Sequence, residues 1–247
     1  MTDREKAVYL KRYEARLSER NRKKLKSMFL EFKDAIKKDN SNFSLAFKIE
    51  EINIDYEKFK ELAKKYLTEI FMYNVNSVIK TYSKMFGWEL SKTKLNGIRD
   101  LMINEYNTKY AASKVVKITD TTRKILNNVI FKSQDEGLGL KAIVDEILSK
   151  IDDMSIHRAK TIARTETSSA INNTSLKMAK TAKTKKKKWI HIGGRYTSRE
   201  NHKALNNKVI GIDELYDLGR GIKAPCPHHP SLPVGEVVNC SCIIIFK

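Results

Sequence analysis

The distribution of proline most constrains how this chain can fold. All four prolines lie between residues 225 and 233, so the first 224 residues contain none. Proline breaks the interior of a helix because its ring clashes with the preceding turn and it has no amide hydrogen. A long proline-free stretch is therefore typical of a helix-rich protein, and the remainder must be built differently. The hydrophobic content of 41% is enough for a packed core.

The apolar pattern predicts helices as far as about residue 180. Apolar side chains recur every three or four positions and leave charged residues on the opposite faces. Ser155 has the side chain of an N-cap residue, so we expect a new helix to start there, and Asp120 or Thr121 has the same character. The expected helices cover about 3–38 (one helix or two), 55–86, 92–112, 120–130, 140–148 and 155–180.

The pattern changes after Lys188. The segment 189–192 is typical of a strand, Gly193 and Gly194 indicate a turn, and the chain ends in another apolar, strand-like segment. We expect a second short strand at 209–212 and a helical turn around His202. The sequence therefore predicts a mainly α-helical N-terminal region followed by a small α+β C-terminal domain.

The chain is strongly basic. It has 48 Lys and Arg against 29 Asp and Glu, a net charge of +19. Such a field attracts polyanions, and the resulting binding depends on salt. Five of the residues 183–188 are lysines, which favours either a solvated loop or frayed helix end, or a contact to the phosphates of double-stranded DNA without sequence specificity. The candidate phosphate contacts are Lys183, Lys185, Lys186, Lys187 and Lys188.

Cysteine and histidine residues are concentrated near the end of the chain. Thiolates and imidazoles are the ligands that tetrahedral zinc prefers, and a small irregular segment gains stability from such a link. The Cys-x-Cys spacing, however, is tighter than that of a zinc finger, so free buried thiols and a disulfide remain alternatives. A structural zinc ion is the one cofactor that the residues suggest. Its candidate ligands are His202, Cys226, His229, Cys240 and Cys242.

No catalytic or membrane motif is evident. The sequence has no phosphate loop, no dinucleotide fingerprint, and no apolar run of about 20 residues. Its charged start lacks a signal-peptide core. We therefore predict a protein that is not an enzyme, does not enter a membrane, and is present in a cytoplasm or in a particle assembled there.

Three stretches carry a resemblance to a known family. The first is RAKTIARTETSSAIN, from Arg158 to Asn172. The second has Trp189 and then RENHKAL, from Arg199 to Leu205, which contains His202. The third is HPSLPVGEVVNCSC, which ends at Cys242. Their order and spacing resemble the Mu F-like, or SPP1-type, phage head morphogenesis family of minor head proteins. The chain departs from the family pattern at His229, which replaces an aspartate, and between the last two cysteines. The family-motif residues are Arg158, Arg164, Glu166, Trp189, Arg199, His202 and Asn239.

The resemblance covers about 116–247, with 189–247 as the β-containing part, and it leaves 1–115 as a helical region. It implies a minor capsid protein, present in few copies inside the virion head, that joins during assembly in the host cytoplasm. The implied partners are the portal protein, the major capsid or scaffold protein, and packaged DNA, with residues 1–115 docking on the portal or shell. The sequence ends five residues after Cys242, so we expect no appended enzymatic domain.

Two other functions remain as alternatives. The basic charge is also typical of a non-specific DNA-binding protein that acts outside the capsid. The cysteine and histidine residues also suggest a zinc-dependent hydrolase that uses His202, His229 and the cysteines.

Overall fold

A computed structural model of the chain describes residues 1–41, 52–193 and 198–247. It confirms the predicted fold class, because long helices come first and small antiparallel sheets with short helices follow. A π-helical turn, Tyr106–Tyr110, connects the third helix to the fourth. The helices are α1 (Asp3–Asp39), α2 (Tyr56–Phe86), α3 (Lys92–Glu105), α4 (Ala111–Asp135), α5 (Leu140–Thr181), α6 (Glu200–Ala204) and α7 (Val234–Val237). Among the described residues, no helix is both long and apolar enough to span a membrane.

Within the described residues, five short strands form two antiparallel sheets. The strands are β1 (Lys186–Ile190), β2 (Val209–Gly211), β3 (Tyr216–Asp217), β4 (Lys223–Ala224) and β5 (Ile243–Phe246). Strand β1 lies at the centre of the larger sheet, between β2 and β5, and Trp189 pairs with Ile244. All four side chains of β5 are buried. Strands β3 and β4 form a separate two-stranded sheet.

Helix α1 begins with a reciprocal cap. The Glu5 amide donates to Thr2 Oγ1 at 3.2 Å, and the Thr2 amide donates to Glu5 Oε2 at 2.7 Å. This arrangement is a capping box, which provides acceptors for amide hydrogens near the start of the helix. The helix then continues unbroken to Asp39, so the segment predicted as one helix or two is a single helix.

The predicted helix starts at Ser155 and at Asp120 or Thr121 are wrong. Helix α5 is continuous through Ser155, whose hydroxyl donates to the Asp152 carbonyl at 2.7 Å. Helix α4 starts at Ala111, and the Thr121 hydroxyl donates to the Lys117 carbonyl at 2.7 Å. Serine and threonine can satisfy their hydroxyls on the preceding turn of the same helix, so their presence does not by itself mark an N-cap.

The chain forms two compact units whose segments interleave along the sequence. One unit contains Arg22–Glu69 and Asn107–Lys160, and its core includes Phe32 packed against Phe59 with ring centroids 4.6 Å apart. The other contains Met1–Asn21, Ile70–Tyr106 and Thr161–Lys247. The boundary expected near residue 115 stays a prediction.

The strand predicted at 189–192 is displaced in the structure. Strand β1 starts within the lysine run, at Lys186, and ends at Ile190. The predicted strand around 209–212 is present as β2, and the C-terminal strand is β5. The turn predicted at Gly193 and Gly194 falls partly outside the described residues, since Gly194 is among those not described.

Candidate functional site

The second half of α5 presents a buried polar face. The Asn172 side chain accepts from the Ile244 amide at 3.1 Å and donates to the Cys242 carbonyl at 3.4 Å. Ser169 Oγ donates to the His228 carbonyl at 3.1 Å. These bonds hold two segments against α5. One is the start of β5, and the other is the loop that follows β4. The polar residues of the first motif therefore position the C-terminal region.

The charged residues of the first motif are divided between the two units. Arg158 donates to Thr122 Oγ1 at 2.7 Å and to the Ile118 carbonyl at 3.3 Å, and burial lowers its pKa to about 10. Arg158 thus has a structural role within its own unit. Arg164, half-buried, and Glu166, buried, lie in the other unit.

The second and third motifs meet in space. The Trp189 ring packs edge-to-face against His202, with centroids 5.6 Å apart. Arg199 donates from Nη2 to the Val238 carbonyl at 2.7 Å. Asn239 has a φ of 60°, in the left-handed region that asparagine tolerates better than most residues. The motif residues therefore fix the backbone just before Cys240.

His202, Cys240 and Cys242 form a buried cluster, which we call the Cys/His cluster. His202 Nδ1 lies 3.4 Å from Cys240 Sγ and 3.6 Å from Cys242 Sγ. The three candidate ligand atoms all lie within 4.8 Å of one another. The Cys242 amide also donates to Cys240 Sγ at 3.3 Å. The structure thus brings together three of the five predicted metal ligands.

A carboxylate holds the other side of the His202 ring. Glu236 Oε2 lies 2.8 Å from His202 Nε2, and it also accepts from Asn201 Nδ2 at 3.3 Å. Burial lowers the pKa of His202, but its hydrogen bonds to Cys240 and Glu236 outweigh burial and leave the pKa raised. The hydrogen bond from Cys242 is the largest cause that holds the pKa of Cys240 below its ordinary value. This cluster favours a thiolate on Cys240.

Two further histidines border the cluster. His228 is 1% exposed, neither of its ring nitrogens has a partner at hydrogen-bond geometry, and its imidazole lies near enough to Cys240 to help lower the pKa of that thiol. His191 is half-buried, with Nδ1 3.4 Å from Cys242 Sγ. Neither belongs to the predicted ligand set. His228 is adjacent to His229 in the sequence, so the choice between them could not be made from spacing, and His191 carries no local motif.

The other two predicted ligands lie outside the Cys/His cluster. Cys226 Sγ faces Asn173 Oδ1 at 3.6 Å, and burial raises its pKa to about 12. His229 Nδ1 is hydrogen-bonded to Ser231 Oγ at 2.7 Å. His228 has a φ of 56°, in the left-handed region. All three cysteines are free.

The lysine run does not form one uniform surface. Lys187 is fully buried and donates from Nζ to the Ile212 carbonyl at 2.9 Å. Lys188 is half-buried and pairs with Asp3 at 3.1 Å. A strand alternates its side chains between two faces, and β1 turns Lys187 inward, away from any phosphate. Lys188 is engaged by its ion pair with Asp3. The exposed members are Lys183, Lys185 and Lys186.

Comparisons with known proteins identify a family match in the C-terminal half and a relative that matches most of the chain. The family model described as Phage Mu protein F like protein matches residues 124–245. The chain is 29% identical over 194 residues to the uncharacterized protein YqbB of Bacillus subtilis (strain 168). That match covers 76% of this chain and 60% of the relative, so the chain spans less than two thirds of the relative's length. No solved structure matches the chain.

Proposed function

Residues 124–245 belong to the Phage Mu protein F-like family, which implies a role in phage head morphogenesis, and we propose that this chain is a minor head protein of a tailed bacteriophage. In this proposal a few copies lie inside the head and contact the portal, and the major capsid or scaffold protein is a further partner. The family match carries the proposal. It includes all three motifs that the structure assembles around the end of α5.

The geometry of the Cys/His cluster supports a structural role over catalysis. His202 is 2% exposed, and Glu236 and the two thiol groups occupy both of its ring nitrogens. A catalytic zinc site keeps one coordination position open to water or substrate. The hydrolase alternative also needs His229 beside the cluster, whereas His229 is bonded to Ser231. We therefore propose that the chain is not an enzyme.

We assign portal docking to the helical region 1–115. Helix α1 exposes Tyr9 at 42%, while α4, outside that region, exposes Phe131 at 63%. These two residues offer a matched pair of variants, since replacing an exposed side chain usually leaves the fold intact. Comparing the two variants distinguishes portal docking through residues 1–115 from portal docking through the family-matched residues 124–245.

The test is co-purification of the full chain with the portal protein encoded in the same phage genome, together with mass spectrometry of assembled particles. We expect both proteins to co-purify and the chain to be present in particles. Tyr9→Asp should weaken portal binding by about tenfold or more if Tyr9 is a central contact, and Phe131→Asp should not. Absence of the chain from particles contradicts the minor head assignment, whereas an effect of Phe131→Asp alone contradicts docking through 1–115.

The exposed part of the lysine run supports a location near packaged DNA. Lys183, Lys185 and Lys186 are solvent-exposed on a chain whose net charge is +19. Contacts of this type bind phosphates without reading sequence. A DNA-binding protein that acts outside the capsid would share this chemistry, but it would bind DNA and be missing from particles. The particle analysis therefore distinguishes the two functions.

A further inference from the structure

We propose that His202, His228, Cys240 and Cys242 bind one structural zinc ion. The proposal is independent of the portal and DNA contacts. It changes the ligand set that the sequence suggests, because His228 takes the place of His229 and Cys226 is left out. Two sulfur and two nitrogen ligands form one of the usual sets of closed, tetrahedral zinc sites.

The spacing of the cluster fits the edges of a zinc tetrahedron. Zinc–sulfur bonds of about 2.3 Å and zinc–nitrogen bonds of about 2.0 Å place neighbouring ligand atoms roughly 3.3–3.8 Å apart. His202 Nδ1 lies 3.4 Å from Cys240 Sγ and 3.6 Å from Cys242 Sγ. The two sulfurs are within 4.8 Å of each other, so modest movement completes three corners of the tetrahedron.

The surroundings of the cluster match those of a bound metal. Glu236 holds His202 through Nε2 and leaves Nδ1 directed at the sulfurs, which is the carboxylate–histidine–metal arrangement. The Cys242 amide donates to Cys240 Sγ at 3.3 Å, and such a bond stabilises a thiolate ligand. Glu236 therefore orients His202 from outside the cluster, and the Cys242 amide orients the Cys240 sulfur from within it.

His228 lies outside the group of ligand atoms within 4.8 Å of one another, and it would supply the fourth ligand by moving towards them. Its ring is buried and both ring nitrogens are without hydrogen-bond partners, although an unsatisfied buried polar group costs about 1–3 kcal/mol. The loop that carries it is attached to α5, where Ser169 and Asn173 both donate to the His228 carbonyl, at 3.1 and 3.3 Å. A zinc ion gives this imidazole the partner that it lacks. His191 lies at the more exposed edge of the cluster and is the competing fourth ligand in the test.

The ion would link three segments of the C-terminal region that are far apart in the sequence. The four ligands come from α6, from the loop after β4, and from the residues before β5. The described strands and helices between residues 186 and 246 contain only two to five residues each. Metal binding at such a site is coupled directly to folding.

The experiment measures metal in the purified full chain by elemental analysis and replaces zinc with Co²⁺ for spectroscopy. We expect about one zinc per chain. Co²⁺ should give the visible bands of tetrahedral cobalt and a thiolate-to-cobalt charge-transfer band. Cys240→Ser, Cys242→Ser and His228→Ala should each lose the metal, whereas Cys226→Ser and His229→Ala should retain it. The two controls remove a buried thiol and the histidine adjacent in sequence.

Two further measurements keep the proposal testable if a ligand variant does not fold. Co²⁺ added to the chelator-treated wild-type chain should restore the bands and raise its melting temperature. Glu236→Gln keeps all four ligands and should weaken zinc binding about 10- to 100-fold. A wild-type chain that purifies without metal and gives no tetrahedral cobalt spectrum overturns the proposal. Loss of metal in His191→Ala but not in His228→Ala overturns the fourth ligand.

Discussion

Asn172 joins helix α5 to strand β5 through both ends of its amide group. Its oxygen accepts from the Ile244 amide and its nitrogen donates to the Cys242 carbonyl. The side chain is 1% exposed, so water cannot replace these bonds. This contact gives the last residue of the first motif a structural role.

Replacing Asn172 should therefore be costly. We expect Asn172→Ala to lower the free energy of unfolding by about 1–3 kcal/mol, because buried backbone groups lose a partner. Asn128→Ala, at an exposed position of α4, should change it by less than about 0.5 kcal/mol. Urea unfolding of both variants provides the measurement. Equal effects of the two substitutions would show that the Asn172 bonds contribute no net stability.

Lys187 is a buried base in the middle of the larger sheet. Burial lowers the pKa of its ammonium to about 8 from the ordinary value of 10.5, although nearby acidic groups partly oppose this shift. Between these two values the unfolded chain holds the proton more strongly than the folded chain. The free energy of unfolding therefore rises as the pH increases from about 8 to 10.5, and it falls again as the pH returns towards 8.

Lys187→Met should remove this pH dependence. Between pH 8 and 10, the free energy of unfolding of the wild type should rise relative to that of the variant, with a slope of at most about 1.4 kcal/mol per pH unit. Lys186→Met, at the exposed neighbouring position, should follow the wild-type curve. The measurement is denaturant unfolding at a series of pH values. Parallel curves for wild type and Lys187→Met would mean that the lysine titrates alike in both states.

At the level of elements, helix α5 contributes residues to both compact units. It runs for 42 residues and contributes Arg158 to one unit and Asn172 to the other. The sequence predicts most of this helix, but it places a break before Ser155. Helical periodicity on both sides of a serine fits one continuous helix or two consecutive ones, so packing decided the outcome.

Ser155→Ala tests the continuity of α5. Within a helix the substitution should change the free energy of unfolding by no more than about 0.5 kcal/mol, because alanine is the better helix former. Thr2→Ala removes a true cap at the start of α1 and should cost about 1 kcal/mol. Thermal and urea unfolding compare the two variants. A loss at Ser155 as large as that at Thr2 would indicate a helix start there.

At the scale of the whole molecule, the net charge of +19 is only partly available to a partner. Lys187 is buried, and Lys188 and Lys247 both pair with Asp3. The part of the lysine run that faces solvent is therefore smaller than the sequence suggests. Any DNA contact there depends on Lys183, Lys185 and Lys186.

Salt dependence tests this contact. Changing Lys183, Lys185 and Lys186 together to Gln should reduce the slope of log affinity against log salt for double-stranded DNA by about 2–3. A control that changes Lys58, Lys64 and Lys65 to Gln removes the same charge from exposed positions of α2. Fluorescence anisotropy with one duplex at several salt concentrations gives both slopes. Equal reductions would assign the effect to net charge and not to the lysine run.

The sequence by itself determined the helical N-terminal region, the change of structure after the lysine run, and the family motifs. Proline placement and apolar spacing act over one or two helical turns, so they are visible along the chain. Only the tertiary structure decided that His202, Cys240 and Cys242 meet, that Cys226 and His229 lie apart from them, and that Lys187 is buried. These outcomes depend on strand pairing, on left-handed backbone at His228 and Asn239, and on bonds to α5 between residues about 70 positions apart. Such long-range contacts leave no periodic signal in the sequence.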